Sequence, residues 1–278
     1  MPVDHFASCE AIVRRADYDR YLAALFARTQ VRPQLFALYA FNYEVAKTAE
    51  SVSQPMLGHI RLQWWRESIE ELYAGKPRDH EVVHALGEAL RAHDLPRTLF
   101  DGLIDAREND LEETPFAGMA SLESYADASS GNVMRLAARI LGAGDTLDGA
   151  ARHAGIAYAL TGLLRALPHH AARRRLMLPI HLLSAVGLFP ENVFAGGASA
   201  ALTRVVAQIA NSARAHLVAA RAMDVPRRFL PALLPAALAP LYADALTRCG
   251  FNPFRDVVDI PIYRRQLAML RAMIRARI

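Results

Sequence analysis

Cysteine is scarce in this chain of 278 residues. The two that occur, Cys9 and Cys249, lie far apart in the sequence and match neither a metal-binding spacing nor a disulfide framework. Small secreted domains that depend on disulfides are therefore excluded. The sequence predicts a protein of a reducing compartment, which is the cytoplasm.

Long hydrophobic runs are also absent. The longest uncharged stretch, residues 229–243, is interrupted by Pro231, Pro235 and Pro240 and is shorter than the roughly 20 residues that span a bilayer. Residues 1–20 carry charged side chains at short intervals instead of the apolar region of a signal peptide. We therefore expect a soluble protein, or one that contacts a membrane only at its surface.

Lysine occurs only at Lys47 and Lys76, so arginine carries nearly all of the positive charge. Together with the abundant alanine, this bias is typical of a GC-rich genome, and phosphate binding by arginine is the alternative. The net charge of +4 and the pI near 9.3 permit attraction to anionic lipid, nucleic acid or an acidic partner without choosing among them. Because no nucleic-acid-binding motif accompanies the charge, we expect no nucleic-acid partner.

No segment shows the alternation of β-branched residues that is typical of strands, whereas apolar residues recur at helical spacing along most of the chain. The sequence therefore predicts an all-α protein. Without a linker or a repeat, we expect a single domain over residues 1–278, with residues 1–20 loosely ordered. The predicted helices cover residues 33–49, 55–75, 80–93, 96–113, 121–141, 148–167, 198–222, 231–249 and 261–277.

Three segments carry a resemblance to a known family: residues 39–50 (YAFNYEVAKTAE), residues 61–66 (RLQWWR) and residues 163–179. Their order and spacing resemble the squalene/phytoene synthase family. The resemblance implies an isoprenoid-synthase-like bundle of helices around a central cavity. In that family the first and last segments each carry aspartates four residues apart, which bind the magnesium ions that hold a prenyl diphosphate.

Most acidic positions of both motifs are lost in this chain. The first motif has Ala46, Lys47 and Glu50 at these positions, and the second has Ala166 and His170. Residues four apart share a helix face, so two aspartates on each of two facing helices form a clamp for magnesium, which these residues cannot form. Losing one electrostatic contact to a transition state commonly costs about 10²- to 10³-fold in rate. We therefore expect no catalytic residue at these positions, no bound metal and no cofactor.

A divergent branch of the family lacks the aspartate motifs and resembles this chain more closely over residues 52–58, 60–66 and 164–172. Its members are assembly factors for respiratory NADH:ubiquinone oxidoreductase (complex I). The resemblance implies a non-catalytic protein that keeps a cavity for an isoprenoid or lipid and binds a complex I subunit or assembly intermediate. For a bacterial member, that partner would place the protein at the inner membrane as a peripheral protein.

The alternative is an active enzyme with an atypical site that is poor in metal ligands. It would be a head-to-head prenyl transferase acting on farnesyl or geranylgeranyl diphosphate. Only this alternative requires magnesium.

Seven residues are candidates for lining the cavity that the resemblance implies. Gly131 and Asn132 belong to a cluster of small residues, 129–132, which favours either close helix packing or the approach of a ligand. The neighbouring Trp64 and Trp65 lie on different sides of their helix, so at least one should belong to the core. The candidates are Tyr39, Tyr43, Arg61, Trp65, Gly131, Asn132 and Arg165.

The remaining charged groups favour structural roles. Glu44 and Lys47 are three residues apart, which is typical of a surface ion pair. The acidic run over residues 105–113 is typical of a solvated helix end, with recruitment to a metal site as the alternative. Arg165 and the three arginines at residues 173–175 favour a solvated basic junction, with binding of an anionic head group or an acidic partner as the alternative. The adjacent His169 and His170 are expected to line a cavity or end a helix and not to bind metal.

The C-terminal helix combines arginines with an apolar stripe. The stripe consists of Leu267, Leu270, Ile274 and Ile278. Core packing is the favoured interpretation of this stripe, and docking on a membrane surface or a partner is the alternative.

Overall fold

The computed structural model describes residues 4–52, 54–112, 114–197 and 199–278. Within these ranges the regular elements are helices and no residue lies in a strand, which confirms the predicted all-α class. Parts of four predicted segments lie outside the described residues. They are residues 1–3 of the segment expected to be loosely ordered, Ser53 of a resembling segment, Glu113 of the acidic run and Ala198 at the start of a predicted helix.

The described residues form sixteen α-helices, numbered here in chain order, with a π-helical turn at Asp127–Gly131 and short 3-10 helices, among them Arg227–Ala232 and Leu234–Leu238. The α-helices are α1 His5–Ala16, α2 Tyr18–Ala24, α3 Arg32–Ala46, α4 Thr48–Ser51, α5 Pro55–Tyr73, α6 Glu81–Ala92, α7 Arg97–Glu108, α8 Met119–Ala126, α9 Asn132–Ile140, α10 Asp148–Arg165, α11 Leu167–Ala172, α12 Ile180–Ser184, α13 Pro190–Phe194, α14 Ala200–Arg221, α15 Ala239–Leu246 and α16 Ile262–Arg275.

Prolines shorten the helix that was predicted over residues 231–249. Pro231 and Pro235 have no amide hydrogen to donate, and the chain runs mainly as 3-10 helix up to Leu238. The α-helix α15 begins only after this residue.

The N-terminal residues form two helices, where loose order was expected for residues 1–20. Asp4 caps α1 by accepting hydrogen bonds from the amides at positions 6 and 7. Cys9 and Val13 are fully buried, and α1 packs against α3 and α6. Over residues 4–20 the expectation is wrong, because α1 buries Cys9 and Val13 while its arginines Arg14 and Arg15 are exposed.

Helix α10 connects two apolar clusters of the core. Ala154 and Ala157 pack in the cluster that includes α1, α3, α6 and α9. Ile156 and Leu160 pack in a second cluster, which includes the buried face of α14. Helix α10 therefore helps to hold the two parts of the core together.

The cluster of small residues permits a close helix contact. An added Cβ at Gly155 of α10 would lie 2.4 Å from the Cα of Gly131, in the π-helical turn, and 2.9 Å from the carbonyl carbon of Ser130. The two backbones therefore touch without intervening side chains. Close packing was one of the two roles expected for residues 129–132.

Helix α16 lies with most of its predicted stripe facing away from the core. Leu267, Leu270 and Ile274 are exposed, whereas Met269 is fully buried and Ile278 is nearly so. Core packing is therefore wrong for the first three of these residues. Among the helices of the described ranges, none is both long and apolar enough to cross a membrane.

Candidate functional site

The two motif segments meet across the bundle. Glu50 on α4 lies opposite His169 on α11, with 3.1 Å between the carboxylate oxygen and Nε2 of the imidazole. Nη1 of Arg173 lies 2.8 Å from Nδ1 and 2.5 Å from Nε2 of the same ring. The imidazole of His169 therefore contacts the carboxylate of Glu50 and a guanidinium four residues further along its own segment.

Glu44, which lies in the first motif segment, is also paired with cations. Lys47 contacts one of its carboxylate oxygens, and the guanidinium of Arg61 lies 3.4 Å from the other. The Glu44–Lys47 ion pair that was predicted from spacing is confirmed. The carboxylate of Glu44, however, is buried and does not lie at the surface.

The second motif presents no anionic group at its two acidic positions. Ala166 has an apolar side chain. Burial, with the nearby Arg175 as the next cause, lowers the pKa of His170 to about 4, so its imidazole is neutral at neutral pH. In the described structure, Nδ1 of His170 has no hydrogen-bond partner.

Four of the seven predicted cavity residues are buried among other side chains. Trp65 packs edge-on against Phe41, with 5.4 Å between the ring centroids. Asn132 donates to the carbonyl of residue 99 at 3.3 Å, and Gly131 contacts α10 as described. Tyr39 is also buried, and burial raises the pKa of its hydroxyl.

The other three predicted residues lie nearer the surface. Tyr43 lies under the ammonium of Lys47, which is 4.9 Å from its ring centroid, and Arg61 contacts Glu44. Arg165 is exposed, and its Cζ lies 3.9 Å from the ring centroid of Tyr242. Tyr43 and Arg61, beside the acidic positions of the first motif, are therefore separate from the four buried candidates.

A buried charged network lies beside Tyr39 and the small-residue cluster. The guanidinium of Arg20 lies 5.9 Å from the ring centroid of Tyr39 and 5.1 Å from that of Tyr158, and it donates to Ser130 at 3.3 Å. Asp17 pairs with this guanidinium at 2.6 Å. Burial opposes the charged form, but Asp17 and neighbouring phenols outweigh it and raise the pKa of Arg20. Charged groups thus occupy a region where an apolar prenyl cavity was expected.

Asp19 extends this network to three further helices. Its carboxylate accepts hydrogen bonds from Tyr158 at 3.2 Å, from Tyr242 at 2.5 Å and from Arg265 at 2.9 Å. Arg165, next to the second motif, lies 3.8 Å away. Sequence reasoning missed Asp19 because the charged segment around it is typical of an exposed surface.

A cavity of about 490 Å³ opens beside the second motif. Gly162, Arg165 and Ala166 form one wall, and Phe251 with residues 253–258, which include Arg255 and Asp256, forms another. This volume lies within the range of small-molecule sites, about 300 to 1,000 Å³. Of the predicted cavity residues, Arg165 lines this space.

The comparisons with known proteins agree with this arrangement of motifs. A family model described as squalene/phytoene synthase matches residues 13–269. The chain belongs to the squalene/phytoene synthase family. Human NADH dehydrogenase (ubiquinone) complex I, assembly factor 6 is 31% identical over 268 residues, which cover 94% of this chain and 80% of the human protein. Presqualene diphosphate synthase of Rhodopseudomonas palustris is 34% identical over 195 residues, covering 68% of this chain and 69% of that protein.

Solved structures of squalene/phytoene synthases share the fold. A squalene synthase from Alicyclobacillus acidocaldarius superposes with a TM-score of 0.79 at 22% identity, covering 90% of this chain and 95% of that one. A dehydrosqualene synthase superposes with a TM-score of 0.83 at 17% identity, covering 98% and 96%. The likeness confirms the predicted isoprenoid-synthase-like bundle.

The magnesium that the squalene/phytoene synthase family implies does not fit the residues at its motif positions. Glu50 already faces His169, and the carboxylate of Glu44 already faces two cations. His170 adds no negative charge. Across the described ranges, no three side chains of His, Cys, Asp or Glu come together as metal ligands.

The acidic run of residues 105–112 is engaged by arginines. Asp105 and Glu108 both contact Arg66, at 2.5 and 3.0 Å. Asp110 is buried and pairs with Arg107 at 3.2 Å and with Arg175 at 3.3 Å. A solvated helix end is therefore the wrong description for Asp110, and a solvated junction is the wrong one for Arg175, because each compensates the charge of the other.

Acid should destabilise the fold through His170. Between its usual pKa of 6.5 and its folded pKa of about 4, the unfolded chain binds more protons, so stability is lost as the pH falls through this window. The loss by about pH 5 is on the order of 2 kcal/mol for a shift of this size. Urea unfolding of the wild type and of His170→Gln at about pH 7 and about pH 5 measures it. We expect the variant to show the smaller pH dependence.

Proposed function

We propose that this squalene/phytoene synthase family member is a non-catalytic protein that assists the assembly of respiratory complex I. The observation that carries the proposal is the cross-helix pair of Glu50 and His169, which stands where the family resemblance calls for a two-sided metal clamp. The human assembly factor, similar over 94% of the chain, supports the assembly role. The partner would be a complex I subunit or an assembly intermediate.

The proposed role places the protein at the inner membrane as a peripheral protein, in contact with its partner. The cavity beside Arg165 is the proposed site for a bound isoprenoid or lipid, since it has the size for a small molecule and two arginines, Arg165 and Arg255, for an anionic head group. Neither role requires a metal or a cofactor.

The assembly role predicts that deleting the gene lowers NADH:ubiquinone oxidoreductase activity in membranes of the source cell. If the protein is non-catalytic, expression of either the wild type or Glu50→Gln should restore this activity, because the variant removes a charge without disturbing the core. Restoration by wild type but not by a stably produced Glu50→Gln would support chemistry at the motif. Unchanged activity after deletion would contradict the assembly role itself.

The transferase alternative is favoured by the similarity to presqualene diphosphate synthase and by the arginines in the cavity. Incubation with farnesyl or geranylgeranyl diphosphate and magnesium separates the two functions, and we expect no product. Product formation that is abolished by Glu50→Ala would establish the transferase instead. Calorimetry with the diphosphate, on wild type and Arg165→Ala, tests binding without turnover.

A further inference from the structure

The outer face of α16 is apolar. Tyr263, Leu267, Leu270 and Ile274 follow one another at spacings of four, three and four residues, so they share one side of the helix. All four are exposed, and Ile274 retains 65% of its accessible surface. A row of large apolar side chains on the solvent side marks a surface for interaction.

The inner face of α16 fixes the orientation of this row. Met269 is fully buried, and Arg265, four residues before it, donates to the buried carboxylate of Asp19 at 2.9 Å. Turning the helix would break this charged hydrogen bond and withdraw Met269 from the core. The apolar row is therefore held outward.

The apolar surface continues from α16 onto α2. Leu22, Leu25 and Phe26 border a shallow cavity of about 420 Å³ together with Leu267 and Leu270. Leu25 is itself exposed. The surface is thus a continuous patch, not a set of isolated side chains.

Arginines run along one edge of the patch. Arg264, Arg271 and Arg275 are exposed and recur at spacings of seven and four residues, which places them on one side of the apolar row. No aspartate or glutamate occurs over residues 260–278. A helix of this kind lies in a bilayer interface, with its apolar side chains among the acyl chains and its guanidinium groups at the lipid phosphates.

We propose that this patch, the outer face of α16 with its arginine edge and Leu25, docks the protein on the surface of an anionic phospholipid bilayer. A second copy of the chain is the poorer occupant, because two such faces would bring two arginine rows together. An anionic bilayer complements both the apolar row and the charge. The proposal stands on this surface alone and is independent of the role in complex I assembly.

Vesicle binding tests the proposal. The full-length protein is sedimented with vesicles of phosphatidylcholine alone and with vesicles that also contain phosphatidylglycerol. We expect binding to the anionic vesicles that weakens with added salt and little binding to the neutral ones. Arg271→Gln should lower the partition coefficient about fivefold, which corresponds to one basic residue near a charged surface.

An isoleucine on another surface provides a matched control. Ile60 on α5 is 60% exposed, close to the 65% of Ile274, but lies on a different helix. Ile274→Asp should reduce binding to anionic vesicles by about tenfold or more, because it places a charge in the inserted row. Ile60→Asp should leave binding unchanged, and unaltered circular dichroism of both variants shows that the fold is intact.

Three outcomes would overturn the proposal. They are an absence of binding to anionic vesicles, an equal loss of binding in the two aspartate variants, and dimerisation of the wild type that Ile274→Asp abolishes while vesicle binding persists. The last result would assign the patch to a second copy of the chain. Capture of an acidic protein through the patch, without any lipid binding, would likewise exclude the bilayer.

Discussion

Replacing Asp19 with alanine should lower the free energy of unfolding by about 3 to 5 kcal/mol, the usual loss when one partner of a buried ion pair is removed. The carboxylate is only 6% exposed. Its removal leaves the guanidinium of Arg265 and the hydroxyls of Tyr158 and Tyr242 without their acceptor. Each group remains largely withdrawn from water, so each retains most of its desolvation cost. Urea unfolding followed by circular dichroism measures the change.

An exposed ion pair of the same geometry serves as the control. Asp244 accepts from Arg214 at 2.8 Å, against 2.9 Å for Asp19 and Arg265, but the carboxylate of Asp244 is 72% exposed. Asp244→Ala should therefore change stability by less than about 1 kcal/mol. Asp19→Asn keeps one acceptor oxygen and should fall between the two alanine variants. Equal losses for Asp19→Ala and Asp244→Ala would contradict a structural role for the network.

Loss of Asp19 should also loosen α16 selectively. Arg265 connects this helix to the carboxylate, so amide hydrogen exchange over residues 262–275 should accelerate more than exchange in α14. Equal acceleration in both helices would indicate global unfolding, and the contact between Arg265 and Asp19 would then not hold α16 in particular. The measurement thus separates the anchoring of α16 from the general stability of the core.

The sequence predicted that the two motif segments would face each other, but not which residues would touch. Helical periodicity and the family resemblance placed Ala46 and Glu50 on one helix that faces Ala166 and His170 on another. In the structure α10 ends at Arg165 and α11 begins at Leu167, with Pro168 in its first turn, where a proline cannot continue the preceding helix. The restart leaves the neighbouring His169 in contact with Glu50, while His170 is half-buried.

The charged network around Asp19 could not be derived from a single sequence. Its hydrogen-bond partners lie 139, 223 and 246 residues away along the chain. Periodicity reports which residues share a helix face, and it carries no information on contacts between distant helices. Burying such charges is favourable only when every partner is present, which a local pattern does not reveal.

The predicted orientation of α16 was wrong for a related reason. Its sequence supports two apolar rows, one through Met269 and Ala272 and one through Leu267 and Leu270. The row with larger side chains was expected in the core. The structure buries the smaller row because Arg265 lies on that side and is bound to Asp19.

Replacing Gly155 with alanine should destabilise the protein by about 2 to 3 kcal/mol or more, at the upper end of the usual cost of overpacking. The new Cβ would lie 2.4 Å from the Cα of Gly131 and 2.5 Å from its backbone nitrogen. These are backbone atoms of the π-helical turn, so no side chain can rotate away and α10 must separate from the turn. The expected loss exceeds the gain in helix propensity of about 1 kcal/mol that alanine brings. Urea unfolding measures the net effect.

Gly162 on the same helix is the matched control, since an added Cβ there meets nothing within 4 Å. Gly162→Ala should therefore show the propensity gain alone and stabilise the protein by about 0.5 to 1 kcal/mol. Opposite signs for the same substitution at two positions of α10 would establish that the contact between the two glycine backbones, and not helix propensity, controls the result. A stabilising Gly155→Ala would mean that the turn yields easily, and the small residues at 129–132 would then require another explanation, such as the approach of a ligand.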